Sequence, residues 1–219
     1  EKAPLGGTCV NVGCVPKKVM WYASHLTHQL QLAADYGFDV AVESHDWKSL
    51  KEKRDAYIKR LNKIYETNLN KRNIYLIRGE ARFENEETIN VSEKKYTARH
   101  IVIATGGQPI VPEIDGAEYG ITSDGFFELE EQPRDVCIVG SGYIAIEFAG
   151  MLAAMGSNVN LSIRTESILR TFDSMLSENL KKIMLHYGVK INTNKTPISL
   201  GKENGKLVLI TADGLQSQP

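Results

Sequence analysis

The sequence predicts an α/β fold in which short apolar strands alternate with helices and glycine turns. The apolar run 136–139 leads into the glycine turn 140–142, and a helix-forming segment follows from Tyr143. Strand, glycine turn and helix in this order are what a dinucleotide-binding fingerprint requires, because the glycines let a pyrophosphate approach the amides at the helix N-terminus. Upstream, apolar residues recur at three- and four-residue steps between Leu50 and Leu69, as in an amphipathic helix.

The remaining elements follow from the same reasoning. Helices are expected over 15–34, closed by Gly37, from the N-cap Asp46 to about Leu69, and over 173–187, closed by Gly188. Basic side chains, Arg54 among them, are expected on the solvated face of the second of these helices. Short apolar or β-branched runs predict strands at 74–77, 88–91, 95–97, 100–104, 136–139, 158–163, 189–192 and 206–211.

Composition describes an ordinary globular protein. The 219 residues are 42% hydrophobic and 24% charged, with a net charge of −1, so nothing indicates a nucleic-acid or membrane partner. Three cysteines suit a reducing compartment, and we expect the cytoplasm, with mitochondria as a further site. Residue 1 is not methionine and lies eight positions before Cys9, so we expect a segment of a longer protein that is inactive alone.

The segment 5–21 carries the chemistry of the first half of the chain. Cys9 and Cys14 are five positions apart, glycines lie beside them, and a helix is expected to begin after Pro16. The positive end of a helix and a nearby lysine favour a thiolate, which suits a pair that cycles between dithiol and disulfide. Two alternatives are inert thiols and half of a zinc site; zinc usually needs four Cys or His ligands, and no histidine lies near the pair, so we expect no metal.

The run Gly6-Gly7-Thr8-Cys9-Val10-Asn11-Val12-Gly13-Cys14-Val15-Pro16-Lys17-Lys18 resembles the redox-active segment of the flavin-dependent disulfide reductases. Its continuation Val19-Met20-Trp21 and the run Ser123-Asp124-Gly125-Phe126-Phe127 resemble the branch that reduces glutathione disulfide. The resemblance implies two Rossmann-like, three-layer nucleotide-binding domains, both incomplete here. Residues 1–107 would bind FAD, without the first strand and phosphate loop, and 108–219 would bind NADPH, without the end of that domain.

The resemblance also implies roles for single residues. Cys9 would attack glutathione disulfide, Cys14 would lie against the flavin, Lys17 and Glu147 would form an ion pair, and Tyr143 would cover the nicotinamide pocket. The residues expected at FAD are Glu1, Thr8, Cys9, Lys17, Ala81, Thr105 and Gly106. Tyr65 and Tyr57 would line the substrate pocket, although tyrosines on an amphipathic helix are otherwise mostly core residues.

The residues expected to bind NADPH are those at the glycine turn and the start of the following helix, together with two arginines. They are Gly140, Ser141, Gly142, Tyr143, Ile144, Glu147, Arg164 and Arg170. NAD enzymes commonly place an acid at the end of the next strand, where this chain has Arg164, and cations there suit a 2′-phosphate. The alternative is a pair of ordinary surface arginines.

Further expectations concern the whole enzyme. We expect a homodimer formed through a missing C-terminal domain. The resemblance implies that the partner subunit supplies the acid–base histidine, and none of the five histidines here matches the family's acid–base motif. Two other functions stay open. One is a sister reductase acting on trypanothione, thioredoxin, dihydrolipoamide or a metal ion, and the other is a redox-inert nucleotide-binding module, against which the intact cysteines speak.

Overall fold

The computed structural model describes residues 1–214 and 216–217, and it confirms the mixed α/β class. Its α-helices are α1 (Gly7–Val12), α2 (Cys14–Leu32), α3 (Trp47–Lys71), α4 (Ser123–Phe126), α5 (Tyr143–Ala154) and α6 (Ser174–His186). Its strands are β1 (Ala81–Phe83), β2 (Thr88–Val91), β3 (Lys94–Thr97), β4 (Asp135–Val139), β5 (Asn158–Ser162), β6 (Lys190–Asn192), β7 (Pro197–Glu203), β8 (Lys206–Thr211) and β9 (Gln216–Ser217).

The chain divides into two compact units. The first contains Glu1–Lys17 and Lys51–Gln108, and the second contains residues 18–50 and the chain from Pro109 onward. The predicted domain boundary at 107/108 lies one residue from the later division, while residues 18–50 group with the second unit. The assignment of the predicted domains to FAD and NADPH stays a prediction.

The predicted helices form for the expected reasons. A 3₁₀ helix (Ala33–Tyr36) follows α2 and ends at the left-handed Gly37, with φ of 82°, which donates its N–H to the carbonyl oxygen of Ala34 at 3.0 Å. At the start of α3, Asp46 Oδ1 accepts a hydrogen bond from the Ser49 amide at 3.0 Å, as an N-cap should. Asp173 caps α6 in the same way, by accepting a bond from the Met175 amide at 2.9 Å.

Arg54 corrects the prediction of a uniformly basic solvated face on α3. Its side chain is 1% exposed. Its guanidinium donates to Asp55 Oδ1 from Nε at 2.9 Å and from Nη2 at 2.7 Å, and Lys51 donates to Asp55 Oδ2 at 3.0 Å. A shared carboxylate partly compensates the charge of the buried guanidinium, which helical periodicity alone does not reveal.

In the first unit, β1, β2 and β3 form an antiparallel sheet, in which Ile89 of β2 pairs with Phe83 and Tyr96. Two predicted strands are wrong. Residues 74–77 and 100–104 form no strand in the part of the chain that the structure describes, and Tyr75 and Val102 are 95% and 86% exposed. The composition of these two segments suits burial, but a strand also needs a neighbouring strand that accepts and donates the hydrogen bonds of the ladder.

In the second unit, β4, β5 and β6 form a parallel sheet in that order, with Val136 opposite Val159 and Leu161 opposite Ile191. The helices α5 and α6 connect these strands, as the βαβ pattern predicted. The strand β4 is half-buried, with Cys137 of intermediate exposure and Val139 48% exposed.

The second unit also has an aromatic core and an antiparallel sheet. Trp47, Phe126, Phe127 and Phe148 are buried, and the Trp47 and Phe126 rings meet edge to face with centroids 6.1 Å apart. The sheet consists of β7, β8 and β9, of which only β8 was predicted from sequence. The β7–β8 turn has φ of 51° at Asn204 and 78° at Gly205, the positive angles that a tight hairpin requires.

Candidate active site

The cysteine segment is a short helix joined to a long one. Cys9 lies within α1 and Cys14 is the first residue of α2, so the residues between them are more helical than the predicted loop. Gly6 has φ of 101°, and a Cβ there would lie 2.6 Å from the Val10 side chain. A Cβ at Gly13 would lie 2.8 Å from the carbonyl oxygen of Thr8. Both positions therefore require glycine, and together they set the path of the chain around the two cysteines.

The two cysteines form one chemical unit. Both are exposed and present as thiols, and a hydrogen bond joins their side chains. This bond raises the pKa of the Cys9 thiol above its ordinary value, with smaller upward contributions from burial and from charge on Cys14. Solvent access and neighbouring thiol side chains are what a dithiol–disulfide pair requires.

A pair of asparagines holds this segment, and sequence reasoning missed their role. Asn11 Nδ2 donates to the carbonyl oxygens of Gly7 at 2.8 Å, Leu5 at 3.2 Å and Pro4 at 3.3 Å. Asn62 Nδ2, on α3, donates to the Leu5 oxygen at 2.6 Å and to Asn11 Oδ1 at 3.0 Å. Asn11 stands between the cysteines and could have been singled out, but Asn62 is 57 residues from Leu5 and has no local signal.

The predicted substrate tyrosines are both accessible. Tyr57 and Tyr65, on α3, are 40% and 45% exposed, so neither is a core residue. The guanidinium of Arg60 lies 5.4 Å from the centre of the Tyr57 ring, which places a cation beside an accessible aromatic surface. Their contact with a substrate stays a prediction.

The residues predicted at FAD are spread over the first unit. The Glu1 ammonium donates to the Ile77 oxygen at 2.9 Å, and its carboxylate accepts a bond from the Ala3 amide at 2.9 Å. Thr8 lies in α1, Ala81 begins β1, and Thr105 is exposed outside regular structure. Gly106 has φ of 74°, and a Cβ there would meet nothing within 4 Å, so its backbone is open to a ligand.

The glycine turn before α5 is held by backbone hydrogen bonds from the segments that carry the two arginines. The Gly140 amide donates to the Ser162 oxygen, at the end of β5, at 3.0 Å, and the Leu169 amide donates to the Ser141 oxygen at 2.8 Å. Arg164 follows Ser162 by two positions and Arg170 follows Leu169 directly; both are exposed. The chain therefore brings two cationic residues to the segments bordering the turn.

The start of α5 is accessible. Gly142 is its N-cap without a side-chain cap, and a Cβ at Gly142 would meet nothing within 4 Å. Tyr143 and Ile144 are 56% and 39% exposed, and Glu147 is exposed one turn later. Lys17 belongs to the first unit and Glu147 to the second, and their ion pair stays a prediction.

The described residues contain neither a membrane-spanning helix nor a cluster of metal ligands. No helix over 1–214 and 216–217 is long and apolar enough to cross a membrane. Within the same residues, no group of three or more histidine, cysteine, aspartate or glutamate side chains is arranged to hold a metal ion.

Comparisons with known proteins agree with this geometry. The chain is 44% identical over 220 residues to the glutathione reductase of Schizosaccharomyces pombe, covering 96% of this chain and 47% of that protein. It is 43% identical over 224 residues to the glutathione reductase of Yarrowia lipolytica, covering 95% and 48%. The chain thus spans about half the length of these curated relatives.

Among solved structures, the fold is similar to the HOCl-induced flavoprotein disulfide reductase RclA of Escherichia coli. The copper(II) complex of a cysteine-to-serine mutant matches with a TM-score of 0.85 at 25% identity, covering 100% of this chain and 48% of that one. A second RclA structure matches with a TM-score of 0.83 at 27% identity, covering 99% and 47%. The sequence profile of one family matches residues 3–217. The chain belongs to that family, the pyridine nucleotide-disulphide oxidoreductases.

Proposed function

We propose that the whole protein is an NADPH-dependent glutathione-disulfide reductase. The observation that carries the proposal is the exposed Cys9–Cys14 pair, whose side chains interact, in a chain 44% identical to a glutathione reductase. Members of the family use FAD and NADPH. When bound, these cofactors supply the two electrons that return the cysteine pair to its dithiol form.

The residues fit both cofactors. The uncapped, open N-terminus of α5 at Gly142 suits a pyrophosphate, with Gly140, Ser141, Tyr143, Ile144 and Glu147 around it. Arg164 and Arg170 supply charge for a 2′-phosphate. In the first unit, the open backbone at Gly106 suits close approach of the flavin, with Glu1, Thr8, Lys17, Ala81 and Thr105 as the further contacts proposed within 1–107.

The reaction of the cysteines themselves balances without a further reagent. The Cys9 thiolate attacks one sulfur of glutathione disulfide, the S–S bond breaks, and the first glutathione leaves and takes a proton. Cys14 then attacks the Cys9 sulfur of the mixed disulfide and releases the second glutathione, which takes the other thiol proton. The dithiol has lost two electrons and two protons, and glutathione disulfide has gained them.

The raised pKa of Cys9 runs against the expectation that the helix N-terminus and a nearby lysine favour a thiolate, because it lowers the fraction of Cys9 present as thiolate. Attack by Cys9 therefore requires a base that removes the thiol proton. The cation beside Tyr57 and the exposed Tyr65 suit a substrate with carboxylates and apolar stems, as glutathione disulfide has. We further propose a homodimer and a reducing compartment, the cytoplasm or mitochondria.

The test compares cysteine variants for thiol–disulfide exchange with glutathione disulfide. Cys14→Ser should accumulate a mixed disulfide of one glutathione on Cys9, detected by intact mass, while Cys9→Ser should form none at that position and Cys137→Ser should behave as the wild type. The complete enzyme should consume NADPH with glutathione disulfide faster than with trypanothione disulfide, thioredoxin or lipoamide. Retention of exchange by Cys9→Ser, or a preference for another disulfide, would contradict the proposal.

A further inference from the structure

The asparagine pair makes a closed network around the redox segment. The Asn62 amide has two N–H donors, and both are used, one on the Leu5 oxygen at 2.6 Å and one on Asn11 Oδ1 at 3.0 Å. Asn11 in turn uses its own amide on the oxygens of Gly7, Leu5 and Pro4. The Leu5 carbonyl oxygen accepts hydrogen bonds from both asparagines, so Leu5, Asn11 and Asn62 hold one another in place.

The network also fixes which way each amide points. Asn11 Nδ2 faces only carbonyl oxygens, so its Oδ1 must face the other side, where Asn62 Nδ2 donates to it. A carboxylate at position 62 could not substitute, because it has no N–H and would set its oxygens against the Leu5 oxygen and Asn11 Oδ1. The site therefore requires a donor group of this size on α3.

The anchored residue lies between the two thiols. Asn11 occupies α1 between Cys9 and Cys14, and α1 is only six residues long, too short to be stable by itself. Asn62 ties this short helix to α3, which is 25 residues long and also carries Tyr57 and Tyr65. Tyr65 is three positions after Asn62, so the two side chains leave neighbouring positions on the helix surface.

We propose that Asn62 is a positioning residue for the redox pair: through Asn11 and Leu5 it holds α1 so that the Cys9 and Cys14 sulfurs stay in reach of each other. This proposal rests on the proposed function, since it concerns the same dithiol. Without Asn62, closing the disulfide would also have to order α1, so the effective concentration of one thiol toward the other falls. Asn62 thereby makes the disulfide easier to form and the dithiol a stronger reductant.

The experiment measures the dithiol–disulfide equilibrium of Cys9 and Cys14 in the 219-residue chain. The chain is equilibrated in glutathione redox buffers, free thiols are alkylated, and the oxidised fraction is read by mass spectrometry. Asn62→Asp should lower the equilibrium constant for disulfide formation by about tenfold or more, because two hydrogen bonds are lost. A tenfold change corresponds to a potential about 30 mV less negative.

Two further variants keep the result interpretable. Asn70→Asp makes the same chemical change at an exposed position of α3 and should leave the equilibrium unchanged. Asn62→Ala removes both donors without adding a charge, and serves if circular dichroism shows that Asn62→Asp is unfolded. In a double-mutant cycle, Asn11→Ala should add less to Asn62→Ala than it costs alone, since the two side chains act as one unit.

The outcomes separate the two proposals. If the wild-type chain forms the Cys9–Cys14 disulfide and both Asn62 variants have its equilibrium constant, the positioning role is wrong and the proposed function stands. An equal shift of the equilibrium constant in Asn70→Asp also contradicts the positioning role, because the shift would then come from the negative charge added to α3. If the wild-type pair forms no disulfide, both proposals fail.

Discussion

At the scale of single residues, the hydrogen bond between the Cys9 and Cys14 side chains raises the pKa of the Cys9 thiol. Both cysteines are exposed, so the main cause of this rise is the other cysteine rather than burial. Sequence spacing identifies the pair but does not give the direction of this shift, because a helix N-terminus and a nearby lysine favour a lower pKa.

We expect Cys14→Ala to lower the pKa of Cys9 toward its ordinary value. The hydrogen bond that stabilises the protonated thiol is lost, and so is the repulsion from charge on Cys14. The alkylation rate of Cys9, followed by mass spectrometry in a Cys137→Ser background, should therefore reach its half-maximum at lower pH than in the parent. A shift to higher pH would mean that Cys9 is the acceptor.

The two arginines near the glycine turn are expected to select NADPH. Replacing Arg164 and Arg170 by alanine should weaken NADPH binding by at least tenfold, because charge-assisted hydrogen bonds contribute about 1.5–3 kcal/mol each. Binding of NADH should hardly change, and calorimetry with both dinucleotides measures the difference. Arg134→Ala is the matched control, since Arg134 precedes β4 at the end opposite the turn; equal losses for NADPH and NADH would refute the assignment.

At the scale of elements, sequence patterns identified those whose stability is local. The helices α3 and α6 carry their own N-caps, the 3₁₀ helix after α2 ends at Gly37, and β4, the glycine turn and α5 form a continuous motif. The patterns failed at 74–77 and 100–104, where composition suited a strand and the backbone had no ladder partner. They also missed β7, whose polar residues pair with the more apolar β8 across a tight turn.

An ion pair joins the end of β8 to the segment before β7, and its contribution should depend on pH. Lys195 donates to Asp213 Oδ2, and Thr211 Oγ1 donates to Asp213 Oδ1 at 2.7 Å. The bond from Lys195, followed by that from Thr211, lowers the pKa of Asp213 to about 2 from an ordinary 3.8. Because the folded-state pKa is the lower one, the carboxylate stabilises the fold above about pH 3.8, and this is lost as pH falls toward 2.

Asp213→Asn should therefore lower the urea midpoint at neutral pH, and the difference from wild type should shrink in acid. The effect is expected to be small and weakened by salt, because the side chain is exposed. Fluorescence of the buried Trp47 follows unfolding of this unit. Asp39→Asn, at an exposed position, is the control; a difference that stays constant from neutral to acid pH would contradict the linkage.

At the scale of the whole molecule, the family and the α/β class could be predicted from sequence, because the cysteine segment and the glycine turn are long contiguous motifs. Contacts between distant residues could not. Asn62 and Leu5 are 57 positions apart, and Trp47 donates to the Leu129 oxygen across 82 positions. A single sequence does not identify such partners, because these residues belong to no recognisable local motif.

The aromatic core of the second unit should dominate its stability. Phe126 is 5% exposed and contacts three buried rings, those of Trp47, Phe127 and Phe148. Phe126→Ala should lower the free energy of unfolding by about 3–5 kcal/mol, as expected for a buried ring replaced by a cavity. Phe38→Ala, at a position 66% exposed, should change it by less than about 0.5 kcal/mol. Urea denaturation measures the free energy of unfolding of both variants. Similar losses of stability in the two would mean that the core of this unit lies elsewhere.

The separation between Asn62 and the cysteines has a consequence during synthesis. A ribosome adds roughly 5–20 residues per second, so both thiols emerge from it some seconds before the residue that secures the segment between them. In that interval the short helix has no anchor, and only the short chain between the cysteines keeps them near each other. We therefore expect the nascent pair to close less readily than the folded pair until Asn62 has emerged.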